Sequence, residues 1–137
     1  MSEDDAARLA RALYAAYNEH DAPRAAALYH PEGTHYEMAR GTSVEGRTAV
    51  ANGLAGFLGL FPDACWEPLE VIGGATAVAV PYRLTGTLQA QLGSVAPRGQ
   101  RLDLRGVHVV RARESSIAAT EDYWDGATFN AQMRGED

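Results

Sequence analysis

Residues 101–124, RLDLRGVHVVRARESSIAATEDYW, read as two antiparallel strands folded back on one another. Side chains alternate across a strand, so Leu102, Leu104, Gly106, His108, Val110 and Ala112 share one face. Every member of that face is apolar or glycine except His108. A two-residue turn at Glu114-Ser115 would set His108 against Glu121, but such turns favour the positive φ that glycine or asparagine supplies. A three-residue loop is therefore expected. It pairs Arg113 with Ile117 and sets His108 opposite Asp122 on the same face. In that register Asp122 points inward, Glu121 takes the outer face, and Asp125 is placed to cap the C-terminal turn ATFNAQM. A buried carboxylate beside an imidazole can cycle a proton near neutral pH, because desolvation raises the acid while a charged imidazolium would lower it. The alternatives are an ordinary ion pair for Asp122 and a core histidine satisfied by a backbone carbonyl for His108.

Working outward from the hairpin, the preceding residues split into two regimes. Leu9, Leu13, Ala16 and Tyr17 recur at helical spacing, which predicts an amphipathic helix over 3–19 capped by Ser2. Asp21 followed by Pro23 starts a short second helix running to about Tyr29. After an extended piece around Thr34–Met38, Val50, Leu54, Phe57, Leu58 and Phe61 mark a third helix, which Pro62 stops and Gly53, Gly56 and Gly59 loosen. Beyond Asp63 the period changes to alternation. Strands are expected at Trp66–Ile72, Ala75–Thr87 and Gln100–Arg113, then Ile117–Trp124, with Pro81 indicating an edge or a bulge. Helices first and an antiparallel meander after them predict an α+β fold: helices covering one face of a curved, cone-shaped sheet that encloses a pocket.

Composition limits what such a pocket serves. At 137 residues the chain is long enough for one domain, expected to span 1–137. A net charge of −6 with no basic run argues against nucleic acid and against a membrane surface, and leaves a hydrophobic small molecule as the expected partner. Cys65 is the single cysteine, so no internal disulfide can form; the N-terminus carries no secretion signal, and the expected location is the cytoplasm. Tyr14, Phe57, Trp66 and Tyr82 are candidate aromatic walls, and His35 a candidate for the pocket mouth. His30 and His35 lie five apart, and neither HExxH nor a cysteine cluster occurs, so no metal site is expected. TGT and GGAT lack the glycine spacing and following lysine of a phosphate loop, and read as turns.

The order of elements, together with YNEHDAPRAAALYHPEGTHYE, VEGRTAV, LFPD, RLTGT, RGVHVVRAR and EDYWDG, resembles the SnoaL-like polyketide cyclases of the nuclear-transport-factor-2-like, ketosteroid-isomerase-like superfamily. The resemblance implies the same cone, a homodimer, and no metal or organic cofactor; the acidic charge and an otherwise unclosed sheet point to the outer face of the sheet as the dimer interface. In those cyclases a histidine and an aspartate fourteen residues later face the substrate, a separation that His108 and Asp122 keep. A glutamine two positions before that histidine falls on Gly106 here. The implied reaction is an intramolecular aldol closure, with Asp122 as base and proton shuttle and His108 donating a hydrogen bond to a substrate oxygen. Two relatives compete. THYE resembles the segment carrying the general base of ketosteroid isomerases, which would make Glu37 the base on a steroid-like substrate. Limonene epoxide hydrolases end in a stretch like EDYWD, but their Arg-x-Asp pair would fall near PYRLT, where no aspartate stands. A non-catalytic ligand-binding or dimerisation module is the reading from a different class.

Overall fold

The computed structural model describes residues 5–136; the expected cap at Ser2 lies outside them. Helix α1 (Asp5–Asn18) buries Leu9, Leu13, Ala16 and Tyr17, the face that its spacing predicts. Helix α2 (Ala22–Ala27) is capped by the Asp21 side chain, which accepts from the Arg24 amide, with proline in its first turn. The chain continues through β1 (Tyr29–Glu37), β2 (Thr42–Glu45), α3 (Arg47–Leu60), β3 (Cys65–Pro68), β4 (Ile72–Gly73), β5 (Ala77–Thr87), β6 (Arg101–Arg113), β7 (Ser116–Trp124) and α4 (Gly126–Arg134).

The strands form one curved, unclosed sheet in the order β2-β1-β7-β6-β5-β3, with β4 also on β5. Every pair is antiparallel except β1 beside β7, which run parallel. Helix α1 packs across β3, β5 and β6, and its Leu9 and Leu13 belong to the same buried core as Val78, Val80, Leu102 and Val110. The α+β cone expected from the sequence is the observed fold. None of its described helices is long and apolar enough to cross a membrane.

Several elements differ from expectation, each for a local reason. Strand β2 is exposed at all four positions, so no alternation marks it. The strand expected at 66–72 is two short ones, and Pro81 explains the gap. Its carbonyl accepts from the Leu69 amide at 2.8 Å, so the side from which proline lacks an N–H faces the place where the β3 ladder ends. The turn expected at ATFNAQM is a full helix, capped as foreseen by Asp125, whose side chain accepts from the Ala127 amide.

The hairpin reaches the expected register by a different route. Arg113 pairs with Ser116, so the loop has two residues, Glu114 and Ser115, and Glu114 adopts a φ of 57°. A register shift follows: Ala112 pairs with Ile117 but Arg111 with Ala119, which leaves Ala118 as the extra residue of a β-bulge. Past the bulge, His108 stands opposite Asp122. Glu114 thus holds a left-handed backbone without being glycine. Glu114→Gly is expected to raise stability by about 0.5–1 kcal/mol in urea denaturation, the relief of strain exceeding the entropy that glycine adds to the unfolded chain.

Candidate active site

Parallel pairing of β1 with β7 and antiparallel pairing of β7 with β6 line up Glu37, Asp122 and His108 across three adjacent strands. Above this row lies a cavity of about 390 Å³. Its inner end is formed by Tyr17, Tyr29, His35, Glu37, Tyr82 and Asp122, and Trp66 and Trp124 stand among its aromatic walls. The opposite wall is α3, which contributes Val50, Gly53, Leu54, Phe57 and Leu60. This helix packs on α2, β1 and β2, and none of its residues is fully buried. Its apolar face therefore borders open space.

Six of the eight residues singled out from the sequence line the cavity: Asp122, His35, Glu37, Phe57, Trp66 and Tyr82. Tyr14 and His108 do not. Tyr14 directs its hydroxyl to His108 Nδ1 at 3.2 Å and borders a separate hollow of about 410 Å³ between α1 and residues 68–71. His108 is 2% exposed and sits behind the cavity wall, its ring 6.0 Å from Tyr17, 5.9 Å from His35 and 6.3 Å from Tyr82, centroid to centroid. Its Nε2 has no hydrogen-bond partner among the described residues. Burial, followed by the nearby His35, pushes its pKa down to about 3, so the imidazole is neutral at physiological pH.

The two cavity carboxylates are driven apart. Glu37 accepts from His35 Nε2 at 2.8 Å on one oxygen and from Trp124 Nε1 at 2.8 Å on the other. Burial alone would raise it, but His35, Trp124 and the Arg40 charge together hold it below its ordinary value. Because a carboxylate only accepts, the shared proton lies on His35 Nε2. The other ring nitrogen, Nδ1, lies 2.6 Å from the Thr120 hydroxyl oxygen, which in turn lies 2.6 Å from the Tyr29 hydroxyl. Among the described residues Asp122 has a single side-chain donor, the Tyr82 hydroxyl at 2.6 Å. Burial and the Glu37 charge raise its pKa to about 7, against the opposing pull of Tyr82 and His35. Glu37 is thus a fixed anion and Asp122 a group that exchanges its proton near neutrality.

The contact between Tyr82 and Asp122 exists because residue 106 is glycine. Tyr82 and Gly106 are cross-strand partners, and a Cβ on Gly106 would come within 2.4 Å of the Tyr82 hydroxyl oxygen. The ring lies over the bare backbone and reaches diagonally to β7. Where the cyclases place a glutamine, this chain makes room for a tyrosine from the neighbouring strand. Alternation along β7 signals Thr120 and Trp124 as companions of Asp122. Tyr29 and Arg40 carry no such signal, since a turn and an irregular stretch of β1 place them.

His35, Glu37 and Asp122 are also the one group among the described residues whose ligand atoms lie within 4.8 Å of one another. Both ring nitrogens of His35 are engaged, by Glu37 and Thr120, so a cation would have to replace an existing hydrogen bond. His30, whose spacing from His35 does not suggest a metal pair, accepts from the Glu32 amide in its own loop. Two substitutions read the electrostatics with opposite signs. Glu37→Gln removes the adjacent charge and should lower the pKa of Asp122; Tyr82→Phe removes its donor and should raise it further, both followed by carboxyl carbon NMR titration.

Residues 10–120 match the model of the SnoaL-like domain. No curated protein sequence matches the chain. Among solved structures it is similar to AclR of Streptomyces galilaeus, a candidate hydroxylase, with a TM-score of 0.85, 21% identity, and 99% of this chain and 100% of that one covered. A candidate SnoaL-like polyketide cyclase of Jannaschia sp. CCS1 gives a TM-score of 0.87 at 17% identity, with 98% and 95% covered. A Catenulispora acidiphila protein with a ketosteroid-isomerase-like fold gives 0.80 at 16% identity, with 94% and 93% covered. These identities speak for the fold alone; the domain match spans most of the chain, and with the cone of helices and curved sheet it makes this protein a member of the SnoaL-like family.

Proposed function

We propose that the cavity is the active site of a cofactor-independent cyclase that closes a ring by intramolecular aldol addition, with Asp122 as base and proton shuttle. The observation that carries this reading is a carboxyl with a pKa of about 7 lining a cavity of about 390 Å³, a size suited to a small-molecule ligand. Ionised Asp122 removes a proton from a carbon flanked by carbonyls. The electron pair of the C–H bond passes into an enolate, whose carbon attacks a second carbonyl of the same molecule. The resulting alkoxide recovers the proton from Asp122, so the reaction is atom-neutral and the acid returns to its starting state. Tyr82 donates to Asp122 throughout, because burial and the neighbouring carboxylate keep its phenol protonated. The hydrogen bond from neutral His108 to a substrate oxygen requires the Tyr17, His35 and Tyr82 rings to part, because its Nε2 is buried behind the cavity wall. Relatives support the class: IdmH of Streptomyces antibioticus is a candidate polyketide cyclase, and TerC was crystallised with polyporic acid.

The isomerase-like alternative, with Glu37 as base, is weakened by the two donors that occupy its oxygens and by its lowered pKa. Asp122→Asn is expected to reduce turnover about a hundredfold or more, and Glu37→Gln to be mild. The reverse ranking in steady-state kinetics on a polyketide β-ketoester would move the base to Glu37. Stability supplies a check that needs no substrate. An acid with a folded pKa of about 7 against about 3.9 unfolded destabilises the fold fully above pH 7, progressively less between pH 7 and 4, and not at all below. Asp122→Asn should therefore stabilise the protein by about 1–2 kcal/mol at pH 8, an amount already discounted for solvent in the cavity, and by nothing at pH 3.5.

We also propose a homodimer through the outer face of the sheet. There Val107 pairs with Tyr123, and these residues, with Tyr36 and Met38, are 37–44% exposed. Sedimentation at micromolar concentration should give a dimer, and Val107→Glu should weaken it at least about tenfold by placing a charge in the patch.

A further inference from the structure

The proposed reaction leaves one cavity residue without a task. Arg40 lies in the turn between β1 and β2, where its amide donates to the Glu37 carbonyl at 3.2 Å, and its side chain lines the cavity rim. The guanidinium sits over two wall rings, 5.3 Å from the centroid of Trp124 and 5.5 Å from that of Phe129. Trp124 is itself pinned by its hydrogen bond to Glu37. Arg40 is near enough to help lower the pKa of Glu37, yet among the described residues it makes no ion pair. By contrast Arg83 and Arg111, on the outer surface, are each bound to a carboxylate. A cation held by two aromatic faces at the rim of a cavity, in a chain of net charge −6, is not explained by pairing within the fold.

We propose that Arg40 anchors a planar oxyanion of the ligand, so that the site takes an apolar, conjugated molecule with a carboxylate or an ionised enol at its outer end. This rests on the reading of the cavity as a ligand site. The charge layout sets the ligand's direction. Glu37 and Asp122 repel an anion from the inner end, whereas the guanidinium fork matches a planar pair of oxygens at the rim. The ligand's acidic end then faces outward and its reactive carbon faces Asp122. Trp124 and Phe129 flank its conjugated plane.

The test is calorimetric titration at pH 7.5 with three probes of similar size: 2-naphthoate (a carboxylate), 2-hydroxy-1,4-naphthoquinone (an ionised enol) and the neutral 2-acetonaphthone. The expected result is that at least one anion binds wild-type protein about five- to tenfold more tightly than the ketone, and which anion does so separates the two oxyanion sources. Arg40→Gln, at an exposed position, should abolish that preference and leave the ketone's affinity within twofold. Equal affinities in the wild type, or an anion preference that survives Arg40→Gln, would overturn the assignment of Arg40 while the ketone's binding still upheld the cavity. Failure of all three to bind would overturn both.

Discussion

A single extra residue in β7 governs which acid this protein can use. Ile117 is fully buried and faces the core; strict alternation from it would carry Ala119, Glu121 and Tyr123 inward. The bulge at Ala118 reverses the parity, so that Thr120, Asp122 and Trp124 turn toward the helices instead. Glu121 is left outside, paired with Arg111 at 2.8 Å and accepting from the Tyr123 hydroxyl. The polar contacts that β7 makes at the cavity depend on that reversal: Thr120 to His35 and Tyr29, Asp122 to Tyr82, and Trp124 to Glu37.

The bulge also produces the electrostatic asymmetry. Two carboxylates on neighbouring strands each feel the other's charge, and Asp122 is the more deeply buried. They separate because burial raises Asp122 while Glu37 is supplied with more donors. Glu37 has an imidazole and an indole, while Asp122 has one phenol that exists only because Gly106 lacks a side chain. The anion that is held low then helps to push its neighbour up. Proton-transfer capacity near neutrality thus belongs to the pair and its unequal hydrogen bonding rather than to either acid alone.

Hydrophobic burial explains why there is a cavity for this pair to face. Helix α1 spends its apolar side on β3, β5 and β6 and fills that part of the cone. Helix α3 is the more apolar of the two but packs chiefly against α2, β1 and β2, with Phe57 also meeting Trp66 of β3, and three glycines at 53, 56 and 59 remove bulk from it. Its Val50, Leu54 and Phe57 contribute to a wall rather than to a sealed core. An apolar wall facing an acidic floor suits a ligand that is mostly hydrocarbon and polar at chosen points.

Periodicity alone determined much of this protein. The faces of α1, β5 and β6, the cap at Asp21, the order of helices before strands and the inward direction of His108 all follow from interactions within a few residues, which the chain carries wherever it goes. Six of eight candidate site residues were legible for the same reason: Phe57, Trp66, Tyr82 and Asp122 are large or charged groups on inward-facing positions, and His35 and Glu37 share a face. The inward direction of Asp122 was reached through a three-residue loop, whereas the fold uses two residues and a bulge. Only the tertiary structure decided that Tyr14 and His108 lie behind the wall, that β1 runs parallel to β7, that Tyr82 crosses Gly106, and that Arg40 reaches the rim. Those outcomes depend on depth, on strand register and on contacts between residues 40 to 94 positions apart, such as Tyr82 with Asp122 and Tyr14 with His108. No local pattern encodes them, because the free energy that selects them arises only when distant segments exclude water together.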